Sequence, residues 1–461
     1  MDHAHLQQAQ EQTAYTLDLY KQVLKLEELK DNAVMSPMSI ATALAMTAGG
    51  CRGETLAQFA AHLKHPDSEN MHQLSMQINN SIFREGSDSA GPYLASASGL
   101  WVDERTPLNP KFRRFVKHNY GGEAQEADFR TKAGEVCNEV NQWVGDQTRG
   151  KVSNMLPPGA VHGETRMLLV NALYFRGNWK EKFDIKQTKD KTFYLMNGQC
   201  MTVPMMRTQK KQYIKSYSNW SSSDASFKQD LWPMYSFNES HGATDFAPPA
   251  VITEQPFEFK VLRLPYKTGN KDHRQLSMYI LLPDRKDGLP ELERNLDAAW
   301  LMRELPTLTR FEPVGEFWLP RFKSSFKFPV NKPLQNLGLT TPFHEVKADF
   351  SGMLEAPGAR SGRFTCVPGG CNSMIRTSGR RLYLSKVIHE AIVEVREDGG
   401  EPVAAPVYGR SVSNCAIEPL YKMDFVADHP FLYLIREDAT GVVLFIGRCT
   451  HPKDANPLLE L

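Results

Sequence analysis

Four polar residues stand inside otherwise apolar stretches. Ser36 and Ser39 interrupt NAVMSPMSIATALAM, Asn171 interrupts MLLVNALYF, and His389 interrupts VIHEAIVEV. A buried polar side chain costs free energy unless it finds a hydrogen-bond partner, so each of these positions needs one. Histidine, asparagine and serine together can run a hydrolase. That chemistry requires a serine on a strained elbow beside an oxyanion hole, and no Gly-x-Ser-x-Gly motif accompanies the set. The plainer reading is four separately satisfied residues, Ser36 among them as a helix cap. The seven cysteines are odd in number and thinly spread, which fits reduced thiols better than a disulfide framework. Cys366 and Cys371 lie five apart in a Gly-rich stretch. They leave open a local disulfide or half a metal site, against two scattered thiols. Nothing in the pattern calls for a cofactor.

The elements that hold these residues follow from periodicity. Residues 11–30 predict an amphipathic helix with Tyr15, Tyr20, Val23 and Leu24 on its apolar face. Ser36-Pro37-Met38-Ser39 opens a second helix, since serine caps and proline suits the first turn, and Gly49-Gly50 ends it. Helices are also expected over 109–120 and 133–148. Residues 167–175 form an apolar run suited to a strand buried on both faces. Further strands fit 96–103, 257–265, 276–282, 316–319, 391–396, 431–436 and 442–447. Helices come first and many strands follow, so the class is α+β with antiparallel or mixed sheets.

The chain has 461 residues, 41% of them apolar, enough for a large core. No linker divides it, and it reads as a single domain over 1–461. Segments 217–255 and 355–380 lack a period and read as insertions on an ordinary scaffold. Fifty-four basic against 53 acidic residues leave a net charge of +1, which gives no general pull toward nucleic acid or anionic membrane. No apolar run is long enough to span a bilayer. The polar, Gln-rich start shows no secretory signal, so the expected location is cytoplasmic, or secreted without a visible signal peptide.

Five blocks, in order, resemble the serpin family: NAVMSPMSIATALAMTAGGCRGETLAQF, LLVNALYFRGNWKEKFD, TFYLMNGQCMTVPMM, LYLSKVIHEAIVEVREDGGE and ADHPFLYLIREDATGVVLFIGRCTHP. The resemblance runs from about 12 to 452 and is nearest to the family's leaderless intracellular branch. It implies helices packed around three β-sheets, with a large central mixed sheet and an exposed reactive loop. It also implies a monomeric, metastable protease inhibitor with no catalytic residue of its own. The partner is then a target protease, serine class first and cysteine class second. The resemblance places Ser36, Ser39, Asn171 and His389 in the shutter, a polar cluster beneath the main sheet where strands part. It places Trp179 at the breach, where the loop enters, although Trp179 also reads as a plain core tryptophan.

The implied mechanism is insertion of the cleaved loop as a new central strand, which distorts the acylated protease before it can deacylate. The hinge would be Gly399, Gly400, Glu401, Pro402, Val403, Ala404 and Ala405. Glycine eases the pivot and alanine slides between strands. Pro402 and Pro406 depart from the family's run of small residues. Each lacks a backbone N–H and is foreign to a central strand, so insertion is expected to slow. Counting from Glu397 by the family's spacing places the reactive bond at Ser413–Asn414. Side-chain chemistry favours Arg410–Ser411, whose arginine suits a pocket carrying a carboxylate. The prolines and insertions motivate an alternative: a non-inhibitory serpin acting as a binding or chaperone-like protein. The run Arg207-Thr208-Gln209-Lys210-Lys211 could serve polyanions or be a solvated face.

Overall fold

A computed structural model of the chain describes residues 3–27, 31–83, 91–218, 257–269, 274–355, 382–398 and 422–452. Among these residues, six longer helices precede most of the strands: α1 (His3–Glu27), α2 (Pro37–Ala48), α3 (Gly53–His62), α4 (Ser68–Ile78), α5 (Pro110–Tyr120) and α6 (Ala133–Gln147). Three short ones follow: α7 (Leu289–Asn295), α8 (Ala298–Glu304) and α9 (Asn331–Asn336).

The strands form three sheets. A six-stranded antiparallel sheet runs in the order β1 (Ala33–Met35), β15 (Val443–Cys449), β14 (Phe431–Glu437), β9 (Leu276–Pro283), β8 (Phe259–Pro265), β7 (Tyr213–Tyr217). A four-stranded sheet runs β13 (Met423–Val426), β10 (Val314–Pro320), β6 (Cys200–Met206), β5 (Lys189–Tyr194). The third sheet is mixed and runs β11 (Phe322–Pro329), β12 (Lys386–Val395), β4 (Met167–Arg176), β2 (Tyr93–Asp103), β3 (Glu123–Ala127). Helices around three sheets make this an α+β fold.

The mixed sheet is covered on both sides, and β4 shows why its sequence looks continuous rather than alternating. Leu168, Val170, Ala172 and Tyr174 pack with Val136, Val140 and Val144 of α6. Met167 and Leu169 face the opposite way into a core that includes Leu44 and Met46 of α2. Two apolar faces with a period of two sum to one unbroken apolar run. Asn171 shares the parity of Leu169 and Leu173, so its amide points toward α2.

The second helix, α2, has all twelve residues buried. Its sequence PMSIATALAMTA suits that position, because small side chains let sheets approach closely from every side. Ser36 caps it, accepting the Ser39 N–H on Oγ at 3.3 Å. It stops at Gly49, where a Cβ would lie 2.2 Å from the Phe115 ring, so only glycine fits.

The differences from expectation lie at element edges and in weakly patterned strands. The first helix begins at His3 and ends at Glu27, rather than spanning 11–30. The strand expected over 391–396 begins at Lys386, because His389 and Glu390 mask its apolar character although both are buried. Segments 217–255 and 355–380 lie almost wholly outside the described residues, as do Cys366 and Cys371.

Candidate functional site

The two polar interruptions of the mixed sheet are register partners: His389 of β12 lies opposite Asn171 of β4. Their side chains bond directly, His389 Nδ1 to Asn171 Oδ1 at 2.7 Å. The other ring nitrogen, Nε2, accepts the backbone N–H of Ser36 at 3.1 Å. Because Nε2 accepts, the proton sits on Nδ1 and donates to Asn171. The Asn171 amide then donates twice, to Ser39 Oγ at 2.8 Å and to Ser98 Oγ at 2.9 Å. One connected network therefore ties β2, β4 and β12 to the start of α2. Ser98 is a member that sequence reasoning missed.

His389 is fully buried and Asn171 is 1% exposed. Burial lowers the His389 pKa to about 3, against a smaller upward pull from its bond to Asn171. The ring is therefore neutral at physiological pH. The serines are not poised as nucleophiles. Ser39 Oγ is bonded by Asn171, Ser36 meets the ring through its backbone N–H, and Ser36, Ser39, Asn171 and His389 are all buried. The arrangement couples strands and has no hydrolase geometry.

Trp179 organises a second corner, where β4 has ended and β12 gives way to the residues that follow it. Its backbone N–H donates to Asp398 O at 3.1 Å, and its indole Nε1–H donates to Arg396 O at 2.6 Å. The Phe183 N–H donates to Glu397 O at 2.9 Å. The Glu397 carboxylate accepts Thr188 Oγ1 at 2.7 Å and pairs with Arg321 Nε at 3.5 Å. Both partners of that ion pair are mostly shielded, with side chains 11% and 7% exposed. The indole stacks on Tyr266 at 4.5 Å and 13°. Gly177 makes room for that ring, since a Cβ there would lie 2.4 Å from Tyr266 Cδ1. So Trp179 is a core residue and an anchor at once. Thr188, Arg321 and Phe183, the partners of Glu397 at this corner, were not legible in the sequence.

The expected hinge, Gly399 to Ala405, lies outside the described residues. So do Pro406 and both candidate bonds, Ser413–Asn414 and Arg410–Ser411. Among the described residues no three His, Cys, Asp or Glu side chains gather into a metal-binding set. No helix there is long and apolar enough to cross a membrane.

The family model described as "Serpin (serine protease inhibitor)" matches residues 10–232 and 248–452. Serpin-ZX of Hordeum vulgare is 39% identical over 424 residues, which is 91% of this chain and 90% of that protein. Serpin-ZX of Arabidopsis thaliana is 33% identical over 443 residues, 96% of this chain and 97% of that one. Among solved structures, Arabidopsis AtSerpin1 in its native stressed conformation superposes with a TM-score of 0.76 at 32% identity, covering 98% of this chain and 99% of that one. Uncleaved ovalbumin gives a TM-score of 0.69 at 25% identity, covering 96% and 100%. With the fold, the sheet order and these matches in agreement, the chain belongs to the serpins, a family of serine protease inhibitors rather than of proteases.

Proposed function

We propose that this serpin inhibits a serine protease as a suicide substrate, by inserting its cleaved loop into the mixed sheet. One observation carries the reading: β12 and β4 are parallel neighbours in direct register, from Lys386↔Leu168 to Glu394↔Arg176. The chain leaves β12 at its upper end and continues into 399–421. A segment folding back from that point runs antiparallel to β12, and therefore antiparallel to β4 as well. Insertion would replace one parallel ladder with two antiparallel ones, the slightly more stable pairing per residue. The network around Asn171 and His389 lies across that seam and would act as its latch, the shutter role. Trp179 and its partners hold the entry point, the breach role.

In this reading the hinge is Gly399–Ala405 and the protease cuts at Ser413–Asn414 or at Arg410–Ser411. The break in the family match at 233–247 supports treating 217–255 as an insertion on one domain. Incubation with trypsin-like, chymotrypsin-like and papain-like proteases, followed by denaturing electrophoresis, tests the reading. A covalent serpin–protease band is the expected result, and mass spectrometry of the released peptide locates the cut. Pro402 and Pro406 favour a second reading, a non-inhibitory binding protein. Clean cleavage without a covalent band by every protease of the panel would select it.

A further inference from the structure

The chain between Trp179 and β5 and the connection from β6 to β7 line an open, solvent-facing cleft of about 460 Å³. Small-molecule sites typically fall within roughly 300–1,000 Å³. Lys182, Arg207 and Lys210 line it against a single carboxylate, Asp184, with Phe183 as an apolar wall. That carboxylate is already engaged. Its oxygens accept the Lys186 N–H at 3.0 Å and Gln187 Nε2 at 3.3 Å, capping the turn over Ile185–Gln187.

The cations are less well served. Among the described residues, Lys182 and Arg207 have no ion pair. Arg207 packs over the Trp318 ring at 5.4 Å and feels the field of Glu316. Lys191 already neutralises Glu316 at 3.0 Å. Lys210 pairs with Glu181 at 2.8 Å, but both side chains are more than half exposed, and a bound anion can replace such a contact. The motif Arg207–Lys211 thus gives two of its cations to a cleft rather than spreading them along a flat face.

Phe183, in the cleft wall, is the residue whose N–H holds Glu397 O. Its ring stacks on Phe317 at 5.8 Å. An anion bridging Lys182 to Arg207 and Lys210 would tie the segment carrying Phe183 to the end of β6.

We propose that this cleft binds a compact, multiply charged phosphate- or sulfate-bearing anion, and that its occupation tightens the Phe183–Glu397 anchor. The site does not depend on whether 399–421 inserts, so it stands or falls separately from the inhibitory reading.

Calorimetric titration with inorganic tripolyphosphate and with a multiply sulfated disaccharide tests it, with the unsulfated disaccharide as the neutral control. The charged probes bind and the neutral one does not, and affinity falls with added salt. The double variant Lys182→Gln/Arg207→Gln weakens binding by about tenfold or more, as expected for removing two charge-assisted contacts. Lys332→Gln on α9, outside the cleft, leaves it unchanged. Whichever charged probe binds more tightly identifies phosphate or sulfate as the preferred group. Hydrogen exchange at the Phe183 amide slows several-fold with saturating probe in the wild type only. Absence of binding at millimolar probe, or a folded double variant that binds like the wild type, overturns the site. Unchanged Phe183 exchange on saturation overturns the coupling.

Discussion

The strand β4 has two seams, and they differ in direction and in what lies beyond their ends. Toward β2 the pairing is antiparallel and runs from Tyr93↔Arg176 to Val102↔Met167. Toward β12 it is parallel, and the chain passes from its upper end directly into 399–421. Asn171 bonds across both, to Ser98 on one side and to His389 on the other. Beyond that the symmetry ends. Asn171 fastens β4, which both seams share, to Ser39 of α2, and His389 adds a second grip on the N-terminus of α2 from the parallel seam. On the insertion reading, the seam that must give is the one that carries an extra fastening. A weaker ladder with a specific latch can be closed at rest and still admit a strand.

Cutting the chain once between Tyr408 and Cys415 gives the largest expected effect, because it lets a new strand fill the parallel seam. Roughly ten added ladder bonds at about 1 kcal/mol each raise the melting temperature by on the order of 10 °C in a domain of this size. Calorimetry before and after the nick measures it, and an unchanged midpoint with proven cleavage removes the difference between the seams.

Next comes a contrast of single changes. His389→Ala leaves the Ser36 N–H and Asn171 Oδ1 without partners, at about 1–3 kcal/mol each, and it should promote polymer or latent protein on mild heating. Ser98→Ala removes one acceptor from the antiparallel seam, costs about 1 kcal/mol, and should leave the monomer fraction as in wild type. Native gels after matched incubation decide between them. Equal polymer in both variants would mean that the latch is shared by the seams.

Replacing Pro402 and Pro406 together with alanine restores two backbone donors to the incoming strand. The share of covalent complex over cleaved product should rise about two- to tenfold, up to about 1.4 kcal/mol in the partition. Densitometry of the denaturing gel reads it, and unchanged partitioning would show that the prolines do not limit insertion.

The last contrast is in pH dependence. His389 is neutral when folded, with its pKa lowered from 6.5 to about 3 by burial. Between these values the unfolded chain binds the extra proton, so stability is present above pH 6.5 and is lost as pH falls toward 3. The contribution has a slope of up to about 1.4 kcal/mol per pH unit. His62, lowered to about 4, adds in the same direction. Denaturant melts of wild type and His389→Gln should therefore converge as the solution is acidified and run parallel above neutrality.

Asn171 and His389 were legible because a polar residue in a doubly buried strand is conspicuous in its own sequence. Ser98 was not, since YLASASGLWVD places Ser96 and Ser98 on one face of β2 and only the register singles one out. Arg321 and Thr188 carry no signal of a buried role in the sequence, and Glu397 was legible only as the origin of the count toward the reactive bond. Their meeting depends on chain segments more than 70 positions apart converging at Trp179. The strand β11 was also missed. FKSSFKFP alternates, with Phe322, Ser324 and Phe328 buried, but two lysines and a terminal proline dilute its apolar signal. Long apolar elements announce themselves, while contacts made by short polar side chains appear only once the sheets are stacked.

The complete enclosure of α2 has a consequence for how this protein can vary. A helix with a wet face offers neutral positions, where drift is harmless and stabilising changes can be collected one at a time. Pro37–Ala48 offers none, because each of its twelve side chains meets the packed interior. Enlarging Ala43 or Ala45, both 1% exposed or less, would force the sheet above to ride higher. On the insertion reading, substitutions in this helix therefore change the timing of the sheet's rearrangement as well as the stability of the fold.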